Sequence, residues 1–231
     1  MKNVYRSSIP VSSIITNLIE LRDRDTFGHV NRTKEYMQVF LDNLPLEVAS
    51  KYPALVTSKE IIINAAQIHD IGKVAVHNCV LSKGGSLAEI EYEMIKLHVQ
   101  EGVEEISKFL IDEDISSPFL ETALRIVGFH HCHWAVPANS KNRSYGFPEI
   151  LSGENIPIEA RIMTIIDAYD VMRSKRPYKL EEDHETACGK IRKNCGTQFD
   201  PTLVRVFFEI QEKFEIISEK YKTDRLPQNT S

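Results

Sequence analysis

The sequence predicts an all-α fold, a single helical bundle followed by a C-terminal helical extension. Apolar residues recur at helical spacing in one segment after another. The segments open on Ser, Thr, Asp or Pro and close near Gly or Pro, the residues that cap and stop helices. No stretch alternates polar and apolar residues with the period of a half-buried strand.

In chain order, Val11, Ile14, Ile15, Leu18 and Ile19 share one face of a leading helix, residues 1–22, that packs either on the core or on a second copy of the chain. A second helix follows His29, with Val30, Met37, Phe40, Leu41 and Leu44 as its buried stripe and Pro45 as its stop. Thr57 and Glu60 form a capping box for a third, which carries Ile61, Ile62, Ala65, Ala66 and Ile68 to His69-Asp70 and ends at Gly72. The His-Asp pair is therefore expected on the last turn of a buried helix. Ser86 and Glu89 repeat the box before a helix that delivers His98, and residues 102–110 read as a separate short helix.

Ser117-Pro118 starts the next helix, whose Leu120, Ala123, Leu124 and Val127 face inward up to His130-His131. Residues 134–155 are rich in Pro, Gly, Ser and Asn, and a loop of that length is usually functional or mobile. Pro157 opens a helix in which Ile158, Ile162, Ile165, Ile166 and Tyr169 bury one side and present Asp167. Residues 183–195 read as a helix, and Asp200-Pro201 caps a last one through Leu203, Val204, Phe207, Phe208 and Ile210. The polar stretch from Glu219 reads as fraying, so one domain is expected over residues 1–215 and a tail over 216–231.

A chain of 231 residues supports one substantial core and not two ordinary domains. Its 42% hydrophobic and 26% charged residues are ordinary for a soluble globular protein. A net charge of -5 argues against binding a nucleic-acid polymer, although a local cationic pocket can still hold a small anion. Cys79, Cys132, Cys188 and Cys195 show neither zinc-knuckle nor disulfide-framework spacing. No run approaches the ~18 apolar residues of a spanning helix and no signal peptide is visible, so a cytoplasmic protein without a membrane segment is expected.

The chemistry concentrates on His69-Asp70. A single His on a helix is more often a hydrogen-bonded structural residue than a ligand. Here His29 precedes the pair, and His98, His130-His131 and Asp167 follow it, each on or at the end of a predicted helix. Imidazole and carboxylate without thiolate suit a divalent ion such as iron or manganese better than a structural zinc. A carboxylate such as Asp70 can bridge two metals, and two metals can activate one water while holding an in-line displacement at phosphorus. Phosphoester hydrolysis is the leading expectation.

The chain resembles the HD-GYP branch of the HD phosphohydrolases, whose described members hydrolyse cyclic di-GMP and related cyclic dinucleotides. The resemblance is carried by Arg22-Asp23-Arg24-Asp25-Thr26-Phe27-Gly28-His29, His69-Asp70-Ile71-Gly72-Lys73, Ile95-Lys96-Leu97-His98 and Gly128-Phe129-His130-His131. It continues through Ile156-Pro157-Ile158-Glu159-Ala160-Arg161-Ile162, Asp167-Ala168-Tyr169-Asp170, Arg176-Pro177-Tyr178-Lys179 and Gly196-Thr197-Gln198-Phe199-Asp200-Pro201. It implies an HD-type helical bundle with His29, His69, Asp70 and Asp167 on one metal and Asp70, His98, His130 and His131 on a second. Asp70 would be the bridge. Asp25 stands where some family members place a Glu that ligates a third metal; a solvated helix-end Asp is the alternative. Lys73 is similar to the cation that meets a substrate phosphate, and Arg176 with Lys179 to the family's second phosphate grip.

The signature loop departs from the pattern: Cys132 replaces the expected Glu, Asp-Gly is missing, residues are inserted, Phe147 stands for the Tyr, and Ile150 stands for a Gly. His133 is an optional extra ligand or a surface residue. The resemblance implies a phosphodiesterase opening cyclic di-GMP to linear 5'-pGpG through a metal-bridging hydroxide, and continuing to GMP if a third metal binds. Two alternatives stay open: hydrolysis of another cyclic dinucleotide such as cyclic GMP-AMP, or a catalytically weak binding module that docks on a diguanylate cyclase. A diguanylate-cyclase-type or receiver-type signalling protein is the expected partner, and homodimerisation stays open.

Overall fold

The computed structural model describes residues 28–81, 83, 85, 86, 88–112, 117–135, 151–174 and 180–223. Ten α-helices run through them: α1 His29–Asp42, α2 Leu46–Lys51, α3 Ala54–Thr57, α4 Lys59–Ala66, α5 Asn78–Leu81, α6 Glu89–Asp112, α7 Pro118–Phe129, α8 Ile158–Arg173, α9 His184–Lys193 and α10 Pro201–Thr223. Among the described residues there is no strand, only an isolated bridge between Cys195 and Phe199. The all-α expectation therefore holds. No described helix is long and apolar enough to cross a membrane.

Helix α8 is the axis of the bundle. The sequence suggests one buried side, yet Glu159, Ala160, Arg161, Met163 and Thr164 are buried together with the isoleucines. Other helices cover α8 from several directions: α1, α7, α9 and α10 all pack on it. Its buried charges are matched by distant partners, Arg161 with Asp200 at 2.6 Å and Asp170 with Arg32 at 2.6 Å. Behind them, Tyr36 of α1 stacks on Phe214 of α10 at 4.5 Å, and Tyr169 and Phe207 close the aromatic cluster edge-on or tilted. Each such buried ring contributes roughly 1.5–3 kcal/mol of transfer free energy, enough to fix α1 and α10 on α8.

Several local expectations are corrected. Helix α4 ends at Ala66, not Gly72, and the chain tightens into turns and then a 3-10 helix over Ile71–Ala75. Bonds from Ile68 N to Ala65 O, Ile71 N to Ile68 O and Lys73 N to Asp70 O all have 3-10 spacing. Thr57 is the last residue of α3, where its hydroxyl donates to Pro53 O, and so it does not cap α4. The box expected at Ser86 lies two residues later, where Glu91 reaches back to the Ala88 N–H at 2.7 Å. Residues 102–110 belong to the same continuous α6 that carries His98. The chain does not fray at Glu219: α10 continues to Thr223, with Ile217 and Ser218 buried and Tyr221 donating to Glu35 at 2.6 Å.

Other expectations agree. Ser117 Oγ accepts from Leu120 N ahead of Pro118, and Asp200 Oδ1 accepts from Thr202 N. The leading helix, Asp25, residues 136–150, Arg176 and Lys179 lie outside the described residues. The two ends of the long loop do meet: Gly153 N donates to Trp134 O at 2.7 Å, while Ala135 N and Trp134 N donate to Thr197 O and Gln198 O.

Candidate metal centre

His29 opens α1, His69 and Asp70 lie in the tight turns after α4, His98 is midway along α6, His130 and His131 follow α7, and Asp167 projects from α8. The fold brings all of them to one place. Donor atoms of His29, His69 and Asp70 lie within 4.8 Å of one another, and so do those of Asp70, His98, His130 and His131. Asp167 Oδ1 joins the first group, 3.7 Å from His29 Nε2 and 4.0 Å from His69 Nε2. Asp25 is not among the described residues, and His133 falls in neither group.

The Asp70 carboxylate divides its oxygens between the two groups. Oδ2 lies 3.3 Å from His69 Nε2 and 4.0 Å from His29 Nε2, and Oδ1 lies 3.2 Å from His98 Nε2 and 3.9 Å from His130 Nε2. That is the arrangement of a bridging ligand. Lys73 Nζ stands 2.8 Å from Oδ2, so a cation borders the cluster.

The far ring nitrogens are already committed. Carbonyl oxygens accept from Nδ1 of His69 (Ala66, 2.9 Å), His98 (Ile95, 2.6 Å) and His130 (Val127, 2.9 Å), and Asp170 accepts from Nδ1 of His29 at 2.7 Å. These bonds leave Nε2 of each ring as the lone pair facing inward, the state in which imidazole ligates a metal. Nε2 of His98 and of His130 is buried with no hydrogen-bond partner. Nε2 of His29 and of His69 face each other at 3.1 Å, a separation that only a shared positive charge, proton or metal, makes favourable. Buried lone pairs without partners, converging with carboxylate oxygens and no thiolate, fit divalent metals.

The electrostatics differ between the two groups. Burial opposes charge on Asp70, but Lys73 and His69 outweigh it and hold the carboxyl well below its usual range. His130 is pushed down to about 3, first by burial and then by His69, so it stays neutral and ready to ligate. His131 is lowered by burial of its ring and by His130 and His98, although the residue itself is exposed at the rim of the cluster. Burial works against a charge on His69, yet Asp70 and Asp167 raise its proton affinity. The cluster thus attracts a cation to the His29–His69 side.

Sequence reasoning misses the residues behind this cluster. Asp170 is buried and receives the Arg32 fork, Nε to Oδ1 at 2.6 Å and Nη2 to Oδ2 at 2.8 Å, with Ser174 as a further partner of Arg32. Its carboxyl is depressed by Arg32 and His29 against burial. Helical spacing held the signal: Arg32 lies three residues after His29 and Asp170 three after Asp167, each on the face of its neighbour.

A family model described as HD domain matches residues 14–203. A cyclic di-GMP phosphodiesterase of Vibrio cholerae is 32% identical over 211 residues, covering 90% of this chain and 40% of that protein. A 3'3'-cGAMP-specific phosphodiesterase of the same organism is 30% identical over 200 residues, covering 87% and 34%. A cyclic di-GMP phosphodiesterase response regulator of Xanthomonas campestris is 30% identical over 214 residues, covering 90% and 53%. The chain spans about half or less of the length of these relatives. With the His-Asp pair at the junction of two ligand groups and the match running through all of them, this chain belongs to the HD-domain family, in its HD-GYP branch.

Proposed function

We propose that the chain is a metal-dependent phosphodiesterase that hydrolyses cyclic di-GMP to linear 5'-pGpG in the cytoplasm. The observation that carries this reading is the Asp70 carboxylate with one oxygen toward each group of imidazoles. His29, His69, Asp70 and Asp167 would hold one divalent ion and Asp70, His98, His130 and His131 a second. The nitrogen–oxygen donor set favours iron or manganese. When bound, such a pair supplies an activated water and Lewis acidity toward a phosphodiester. The chain itself orients the ligands through the Nδ1 bonds and holds His130 and His131 in their neutral form. Lys73 places a cation where the phosphate arrives and the negative charge grows. Asp25, as a ligand of a third metal, would extend hydrolysis to GMP.

Arg176 and Lys179 would grip the substrate's second phosphate. Arg176→Ala and Lys179→Ala are each expected to weaken cyclic di-GMP binding about ten- to hundredfold, for roughly 1.5–3 kcal/mol per charge-assisted contact, with metal content unchanged. Titration calorimetry beside metal analysis checks this; parental affinity in both variants would remove the assigned role. His98→Ala should leave about one metal per chain and lower hydrolysis by at least ~100-fold, since it strips only the second group. Loss of both metals on elemental analysis would contradict independent sites.

A second reading, cyclic GMP-AMP as substrate, is favoured by the relative of that specificity together with Cys132 and the inserted residues of the signature loop. The response-regulator relative supports a receiver-type partner. The deciding experiment loads the protein anaerobically with Fe²⁺ or Mn²⁺ and follows cyclic di-GMP, cyclic GMP-AMP, cyclic di-AMP and a generic phosphodiester. Linear 5'-pGpG is the expected main product. Metal uptake without turnover of any of them would point instead to a binding module.

A further inference from the structure

The last turn of α10 is linked to His29 through Arg32 of α1 and Asp170 of α8. Glu35 of α1 accepts from Tyr221 OH at 2.6 Å and from Lys220 Nζ at 2.8 and 3.0 Å, which fixes the end of α10 on α1. The Tyr221 ring lies 5.8 Å from the guanidinium carbon of Arg32. It also lines the glycine that begins α1: a Cβ on Gly28, whose φ is +75°, would meet Arg32 Nη1 at 3.0 Å and Tyr221 Cδ1 at 3.5 Å. Arg32 is buried and forks onto Asp170, and Asp170 accepts from His29 Nδ1 at 2.7 Å. The series Tyr221, Arg32, Asp170, His29 joins α10, α1 and α8 through one cation–π contact and two sets of hydrogen bonds.

We propose that Tyr221 and Arg32 are positioning residues that set the affinity of the His29 side of the metal centre, so that the end of the C-terminal helix controls one metal and not the other. The inference rests on the assignment of His29 as a ligand. Tyr221 confines the guanidinium plane from outside, the guanidinium fixes both oxygens of Asp170, and Asp170 fixes the rotation of the His29 ring and the side on which its lone pair is presented. His98, His130 and His131 have no part in this series; their Nδ1 contacts, where the structure gives them, go to carbonyls of their own helices. A displacement of the last turn therefore reaches one ligand group selectively.

The test separates the two groups before perturbing the relay. Mn²⁺ affinity is measured by calorimetry in a His98→Ala background, which keeps the His29 side, and in a His29→Ala background, which keeps the other. Adding Tyr221→Ala should weaken Mn²⁺ about tenfold in the first background, the low end of the cost of losing the partner directly behind a ligand because Tyr221 acts through Arg32 and Asp170, and by less than about twofold in the second. Tyr221→Phe, which keeps the ring over Arg32, should recover most of the loss. In the metal-free protein the low-field proton resonance of His29 Nδ1–H should shift in Tyr221→Ala and remain in place in Tyr221→Phe. Equal weakening in both backgrounds would mean general loosening of the fold and would overturn the relay, as would no weakening in either. A parent protein that takes up no Mn²⁺ would instead overturn the metal assignment, before any variant is compared.

Discussion

Asp70→Ala should yield a folded protein that retains less than about one metal ion per chain and hydrolyses cyclic dinucleotide at least ~10³-fold more slowly than the parent, the upper range for one electrostatic group. Asp70 is the residue common to both ligand groups, and it faces the imidazoles of each with a different oxygen. Without it, two cations would sit among neutral rings with Asp167 alone to offset their charge. The loss should therefore be greater than for any histidine, and it should be a loss of binding as well as of rate. Heat denaturation gives a reading independent of turnover: metal at a hundredfold excess over Kd raises the parent's stability by about 2.7 kcal/mol, and the variant's by almost nothing. Asp70→Asn keeps the shape without the charge and should behave like the Ala variant. Parental metal content in either would end the bridged model.

Gly72→Ala is expected to be the most destabilising added methyl among the described glycines, costing more than about 4 kcal/mol and lowering Tm by roughly 8–16 °C. A Cβ at Gly72 would fall 1.8 Å from His98 O, 2.5 Å from Gly102 N and 2.8 Å from His98 C, all backbone atoms of α6 that no rotamer change can clear. To accept it, the 3-10 turn bearing Asp70 and the helix bearing His98 must separate, so metal binding should fail in whatever fraction folds. Gly189→Ala is the control. It lies exposed in α9 with nothing within 4 Å of its added Cβ, and should stabilise by about 0.5–1 kcal/mol through helix propensity. A thermal melt of Gly72→Ala within a degree or two of the parent would show that the turn is not held against α6.

The same glycine explains what the sequence did not disclose. Helical periodicity made the bundle and the order of its helices legible, and the series from His29 to Asp167 marked the residues that the fold brings together. Gly72 looked like a helix C-cap, whereas its φ is not positive and its role is space: the turn must touch α6. Gly102 looked like the start of a new helix for the same reason. It is a contact point within α6, where a Cβ would meet Val127 Cγ1 at 2.8 Å. At both glycines the constraint comes from a neighbour distant in sequence, α6 for Gly72 and Val127 for Gly102. Lys220 and Tyr221 looked like solvated polar residues because their partner, Glu35, lies some 185 positions earlier.

One hydrogen bond carries a consequence for how this chain could diverge from its relatives. Gly153 N–H donates to Trp134 O, and the bonds of Trp134 N and Ala135 N to Gln198 O and Thr197 O secure the same point, so the described ends of this segment are joined in one closed neck. The entropy of closing a loop grows only logarithmically, by about 0.6 kcal/mol for each doubling of its length. Residues can thus be added or lost beyond the neck while His131, three positions before it, and Asp167, beyond its other side, keep their places. Insertions there are tolerated cheaply, and this segment becomes the part of the chain most open to evolutionary change.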